Sequence, residues 1–259
     1  MHAVKATTNP YRTAAGLVLG RLFWDLKPEA RRSRLKLRGL RDSNAGKKAI
    51  ICCNGPSLLK VDFSLLQGAY VFGLNKINLL FDKHAFRPSS IVAVNPLVIE
   101  QNAAFYRETD IPLFLDSAGL RHVESRASIA FLHSTAVPRF AQDCSISVYQ
   151  GATVTFVAMQ LAFHLGFSEV AIVGCDHDFV DKGPANMAVA SGPRDQNHFD
   201  PHYFAGGMQW QLPDLPQSEL SYHLAKRAYE AAGRRLVNCT DGGKLEVFER
   251  QSLGEFING

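Results

Sequence analysis

The sequence predicts an α/β fold: a Rossmann-like, mostly parallel sheet flanked by helices, carrying a lid loop and a basic amino-terminal helical arm. Three observations predict it. Short, continuous runs of branched and aromatic residues recur along the chain, as strands buried on both faces require. Several of these runs stop at Asn, Gly or Pro, residues that turn a chain sharply. Between them, Thr153 to Leu165 carries apolar residues at helical spacing and passes through Gly166 into another strand run, the helix–strand unit of a crossover fold.

The arm comes first. Residues 1–48 hold 12 Lys/Arg against 3 Asp/Glu, whereas the remainder holds 16 against 21. Leu17, Leu19, Leu22, Phe23 and Trp24 precede Arg31, Arg32, Arg34, Lys36, Arg38 and Arg41. An apolar, aromatic helix beside a basic cluster suits an anionic membrane surface, reached through residues 12–41. The plainer alternative is a helix packed on the domain with its charges in water. The apolar stretch Ala14 to Trp24 is interrupted by Arg21 and falls short of the roughly 20 residues a membrane span needs. With no secretory signal, the expected location is cytoplasmic, peripheral on the inner face of the cytoplasmic membrane if the arm binds lipid. Nucleic acid is not an expected partner, because the rest of the chain is acidic and lacks a nucleic-acid motif. Five cysteines without a C-x-x-C pair read as reduced, buried thiols. The division is therefore an arm, 1–46, and a domain, 47–259, large enough at 46% apolar composition for a full core.

Within the domain, strands are expected at 49–53, 70–74, 90–94, 112–115 and 169–174, and a last one at Arg235 to Asn238. Helices are expected over 153–165 and 218–232, the second ending at Gly233. Residues 180–197 are polar and aperiodic with two Gly-Pro steps, and they form the first part of a lid taken as 179–210.

The chemistry is expected at the carboxyl ends of the strands, where open α/β sheets bind ligands. Cys53-Asn54-Gly55-Pro56-Ser57 follows the first run. Gly55 permits close approach to the backbone, Pro56 fixes the turn, and Asn54 and Ser57 offer an amide and a hydroxyl to a phosphate, ribose or base. The segment is neither G-x-G-x-x-G nor a P-loop, and a purely structural turn is the alternative. Asn75 and Asn95 end two further runs, and three strand-end amides suit a polar ligand such as a nucleoside or sugar. Gly174 leads into Asp176-His177-Asp178, which reads either as a metal-holding D-x-D pair or as Asp176 accepting hydrogen bonds beside a solvated Asp178. His198 and His202 are four apart, but Pro201 argues against a helical metal pair, and a general base is the favoured role.

These motifs together resemble the small bacterial sialyltransferases that use CMP-sialic acid. The resemblance runs from about residue 48 to 250. It extends to an uncharacterised domain family grouped with 6-hydroxymethylpterin diphosphokinase and flagellar motility-associated factors, most closely over Asn197-His198-Phe199 to Tyr203-Phe204. It implies a nucleotide-sugar-binding domain in which Asn54, Asn75 and Asn95 hold the donor, with Gly55, Ser57 and Thr153 around the nucleotide; Pro56, Gly174, Asp178 and Tyr203 are further candidates for nucleotide or donor binding. It further implies that Asp176 matches the family aspartate and His202 the catalytic base, in a metal-independent, inverting transfer without a cofactor. The expected partners are a nucleotide-sugar donor, CMP-linked by preference, and a glycan or glycolipid acceptor. The family's two phosphate-binding tyrosines are missing after Asp176, where Asp178 stands, and Gly151 replaces an arginine. Arg194, Lys182 or Tyr203 on the lid are the candidates to supply those contacts. Two other functions compete: a pterin pyrophosphokinase-like enzyme using ATP and Mg²⁺, and a non-catalytic nucleotide-sugar-binding protein. The oligomeric state is left open.

Overall fold

Continuous apolar runs become the strands of one sheet. The computed structural model describes residues 9–181 and 183–259. It begins with helices α1 (Pro10–Asp25) and α2 (Pro28–Leu40), then β1 (Lys48–Cys52), β2 (Tyr70–Leu74) and β3 (Ser90–Ala93). Helices α3 (Pro96–Gln101) and α4 (Ala103–Glu108) precede β4 (Leu113–Asp116), β5 (Ile129–Leu132) and the short β6 (Ser134–Thr135) and β7 (Val148–Tyr149). Helix α5 (Val154–His164) leads to β8 (Glu169–Val173), then β9 (Ala188–Ala190) and β10 (Gln209–Gln211). The chain closes with α6 (Leu215–Ala231), β11 (Arg235–Asn238), β12 (Glu249–Arg250) and α7 (Leu253–Asn258).

Eight strands form one parallel sheet in the order β12-β11-β8-β1-β2-β3-β4-β5. The chain grows outward from β1 to β5, then returns through α5 to lay β8 on the other side of β1. The order of winding reverses between β1 and β8, which makes their carboxyl ends the topological switch point. This is the Rossmann-like α/β fold expected from the sequence. β5 was not among the expected strands.

Because neighbouring side chains point to opposite faces, each run feeds two cores. Ala49, Ile51, Phe72 and Ile172 pack under α5 and α6, and Ile50, Val71, Ile91 and Val173 pack on the other face. Fully burying one such Ile or Val contributes about 1.5–3 kcal/mol. Helix α5 is buried from Thr155 to His164 because it lies between the sheet and α6. Its polar Gln160 is accommodated by bonding the 141–149 segment: Oε1 accepts from Ala141 N at 3.0 Å and Nε2 donates to Tyr149 O at 2.7 Å.

Helix α2 covers the edge of β5, where unpaired backbone groups would otherwise meet water. Arg32 donates to Ile129 O at 2.8 Å, Ser33 Oγ accepts from Phe131 N at 2.8 Å, and Lys36 reaches Ala127 O. Part of the basic cluster is thus spent on the sheet edge. Helix α1 is attached differently: its only buried residue is Trp24, and Leu19, Leu22, Phe23 and Leu26 are half to four-fifths exposed. No helix among the described residues is long and apolar enough to cross a membrane. All five cysteines are buried and unpaired.

Candidate functional site

A cleft of about 300 Å³ opens at the switch point, the size of a small-molecule site. The turn after β1 forms its floor. Gly55 N donates to Gly174 O at 2.9 Å, which locks the β1 and β8 ends together. A Cβ on Gly55 would run into the Asp176 carboxylate and the Gly174 carbonyl. Gly174 itself has a left-handed φ of +69°, the turn that carries the chain from β8 into Asp176.

The expected residues divide into those that reach the cleft and those that support it. Asn54, Gly55, Asn75, Asn95, Thr153, Gly174, Asp176, Asp178 and His198 all line it. Ser57 does not: its hydroxyl and N–H donate to Asp176 Oδ2 at 2.7 and 3.2 Å, so its donors go to Asp176 rather than to a ligand. Pro56 opens the short 3₁₀ turn behind it and also stays out of the lining. The carboxylates of Asp176 and Asp178 go to different partners, the latter to Lys244 at 3.0 Å. Among the described residues no group of three or more His, Cys, Asp or Glu could hold a metal ion.

The three amides differ in what they have left to offer. Asn95 caps α3, accepting from Leu97 N at 2.9 Å, and its Nδ2 donates to Gln211 at 3.1 Å. Asn54 Oδ1 and Asn75 Oδ1, by contrast, are buried without any hydrogen-bond partner. A buried acceptor left unmade costs about 1–3 kcal/mol. Both atoms belong to residues that line the cleft, at the ends of the adjacent strands β1 and β2.

The histidines separate as sharply. His202 does not line the cleft; its imidazole is 81% exposed, 3.4 Å from Asp200. The reason is local: Asp200 Oδ1 accepts from His202 N at 2.8 Å, and the turn begun at Pro201 throws the side chain outward. His198 lines the cleft instead. Its Nδ1 donates to Asp195 Oδ2 at 2.7 Å, and its ring stacks on Tyr203 at 4.0 Å. Burial works to raise the Asp195 carboxyl. The His198 bond and the N–H groups of Asn197 and Phe204 outweigh it and leave the group below the usual carboxylate range. An ionised carboxylate can only accept, so Nδ1 carries the proton and the neutral ring's lone pair lies at Nε2. Tyr203, expected at the ligand, is a buried support under His198.

The 179–210 segment is anchored over the cleft. Phe199 N donates to Asn54 O at 2.9 Å, and β9 pairs antiparallel with β10. Buried Lys76 fastens it from below, donating to Tyr203 O at 2.7 Å; burial pulls this lysine down to about 8. Arg194 is exposed and outside the lining, and Lys182 lies outside the described residues. Sequence reasoning missed Tyr222 and Trp210. Tyr222 arrives from α6 with its hydroxyl 3.5 Å from Thr153 Oγ1. Burial raises its phenol well above the ordinary value, so it remains a donor. Trp210 sits on β10; its one sequence signal was the alternation Gln209-Trp210-Gln211.

The model of the family described as "6-hydroxymethylpterin diphosphokinase MptE-like" matches residues 29–182, more than half of the chain. The chain belongs to the MptE-like family. Its match begins inside α2 and takes in β1 through β8. No curated protein matches. Among solved structures, the MAf glycosyltransferase from Magnetospirillum magneticum AMB-1 is similar, with 17% identity and a TM-score of 0.53. The similarity covers 87% of this chain and 38% of that one, so the chain spans under two-fifths of its length. At this identity the likeness shows the fold.

Proposed function

We propose that the protein is a transferase of the glycosyltransferase type, which binds a CMP-linked sugar in the switch-point cleft and passes the sugar to a glycan or glycolipid hydroxyl. The observation that carries this reading is the pair of unpartnered acceptors, Asn54 Oδ1 and Asn75 Oδ1. They call for a ligand rich in N–H and O–H donors, as a nucleoside and its sugar are. The described cleft lining contains no Lys or Arg and includes two carboxylates. That balance favours a donor with a single phosphate over a triphosphate. Tyr222 is a donor available to that phosphate. The solved glycosyltransferase of the same fold agrees with this class of reaction, and the sialyltransferase resemblance supplies the CMP-linked acidic sugar.

In the proposed reaction His198 Nε2 takes the acceptor hydroxyl's proton. The resulting oxygen bonds to the anomeric carbon, the carbon–oxygen bond to phosphate breaks, and CMP leaves with the electron pair, inverting the centre. Asp195 fixes the ring and stabilises its charged form. His202 is assigned no contact with substrate.

One observation favours a second reading. The family description names a diphosphokinase, and Asp176 and Asp178 offer hard oxygen ligands through which Mg²⁺ would hold ATP. Thermal unfolding with CMP, UDP, GDP and ATP, each with and without Mg²⁺, separates the two. A ligand at 100 times its dissociation constant adds about 2.7 kcal/mol. We expect CMP alone to stabilise; stabilisation only by ATP with Mg²⁺ replaces the first reading with the second. With the donor in hand, His198→Ala should lower turnover by about 10²–10⁴ and His202→Ala by less than about twofold.

The exposed apolar residues of α1 and the nearby exposed Arg12, Lys27 and Arg31 support placing the enzyme on an anionic membrane surface, close to lipid-linked acceptors. Sedimentation with phosphatidylglycerol vesicles should carry the protein down. Phe23→Ser with Leu26→Ser should leave it in solution, and equal binding by that variant removes α1 from the contact.

A further inference from the structure

A second cavity of about 300 Å³ lies on the same edge of the sheet, beyond the ends of β4 and β5 and under helix α1. Its walls come from Asp116, His133 and Gln150 at strand ends, and from Phe23, Trp24 and Lys27 on and after α1. Gln150 also lines the first cleft, so one side chain borders both. The polar groups here are ordered in a way that leaves specific atoms free. Asp116 is fully used: Oδ1 accepts from Ala118 N at 2.8 Å, and Oδ2 accepts from Ser134 Oγ and from Gln150 Nε2. Gln150 Nε2 also donates to Ser134 Oγ at 2.9 Å, which holds the amide in one orientation and leaves its Oε1 without a partner. His133 Nδ1 is buried and unpartnered, and the ring stacks on Trp24 at 6.3 Å. Burial first, then the nearby Arg21 and Arg34, push the His133 pKa down, so the ring is uncharged at neutral pH.

We propose that this cavity is the acceptor subsite and takes a neutral, hydroxyl-rich sugar residue, with His133 Nδ1 and Gln150 Oε1 meeting its hydroxyls and Trp24 covering an apolar face. The inference rests on the transferase reading above, since a transfer needs a second substrate beside the first. Among the described wall residues Asp116, bonded only to neutral donors, keeps its negative charge, Lys27 lies exposed at the rim and the imidazole is uncharged, so the interior suits a neutral group better than a phosphate. Aromatic cover with a few fixed acceptors is the chemistry that recognises a sugar ring.

The chain has two tryptophans, one in each cavity. Trp210→Phe therefore leaves Trp24 as the sole reporter of the second cavity, and Trp24→Phe leaves Trp210 as reporter of the first. Each variant is titrated with CMP and with the methyl glycosides of glucose, galactose, mannose and N-acetylglucosamine at millimolar concentration. We expect at least one glycoside to change Trp24 emission saturably, and CMP to change Trp210 emission. Adding Gln150→Ala or His133→Ala to the Trp24 reporter should weaken the glycoside response by about tenfold, the size of one lost hydrogen bond. Far-ultraviolet circular dichroism and a cooperative thermal transition of the same proteins show that they are folded. Glycosides that leave Trp24 unchanged while Trp210 still answers CMP overturn the subsite and leave the donor reading standing. A Trp24 response to CMP in place of glycosides overturns the subsite as assigned. Silence of both tryptophans overturns both readings.

Discussion

The cleft between β1 and β8 has a floor of backbone turns with no room for another atom, whereas the cavity beyond β4 and β5 is closed by one helix that buries Trp24 and is tied by Arg21 to Ile146 O and by Asp25 to Arg34. In the first, Gly55, Gly174 and Asp176 interlock, and the groups left without partners are amide side chains at the strand ends. In the second, Asp116, Ser134 and Gln150 Nε2 satisfy one another while His133 Nδ1 has no partner, and the covering element is the part with the fewest buried residues. On the proposed function, the difference separates two tasks. A rigid floor with unsatisfied acceptors pre-organises binding of one defined ligand, because the cost of holding those acceptors dry is met before the ligand arrives. A helix roof can admit ligands of varied size from outside.

The largest expected effect that would break this contrast is at Gly55. Gly55→Ala drives a methyl group into Asp176 and should cost about 1–3 kcal/mol by overpacking. It should also abolish stabilisation by CMP while leaving Trp24 emission unchanged. Chemical denaturation and fluorescence check both parts, and an unaltered nucleotide response would show the floor to be compliant. A smaller effect is expected from Trp24→Ala. Helix α1 should loosen, so that trypsin cleaves at Arg21 or Arg31, with CMP stabilisation kept. Smaller still is the effect of acid. Asp195 and Asp200 both sit below the usual carboxylate range: each is raised by burial and then lowered further, by His198 for the first and Lys83 for the second. Their stabilisation is complete above the unfolded aspartate value of about 3.9 and is lost as pH falls through the lower folded values. Chemical denaturation from pH 7 to 3 should show this contribution lost only below about pH 4, and its loss already by pH 5 would contradict the assignment.

Strand positions were legible because parallel strands buried on both faces read as continuous apolar runs. Ala49 to Cys53 and Val170 to Gly174 therefore read as strands whose ends share the ligand-binding edge, and their adjacency at the switch point came with the topology. β5 was missed although Ile129-Ala130-Phe131-Leu132 is such a run, because no Gly or Pro brackets it. The strand-end residues Asn54, Asn75 and Asp176 were legible as candidates for the same reason: a turn at a strand's carboxyl end has one place to face. Which of them would be free was not. Ser57 is consumed by Asp176, and Asn95 by the α3 cap, through contacts between distant or newly formed elements. The choice between His198 and His202 depended on Asp195 and on the Pro201 turn, a geometry that spacing alone does not carry. Tyr222 and Trp210 reach the cleft from α6 and from a strand formed by pairing across the lid, so long-range packing had to be known first.

The most direct test of the central claim is Asn54→Ala, read by calorimetric titration with CMP and by unfolding of the free protein. The Asn54 side chain makes no hydrogen bond within the described protein, and its Oδ1 is buried and unpartnered. If that acceptor exists for the ligand, CMP affinity should fall about tenfold or more while the free protein keeps or gains stability. Unchanged affinity together with lost stability would mean that Asn54 serves the fold, and would contradict the assignment of the cleft.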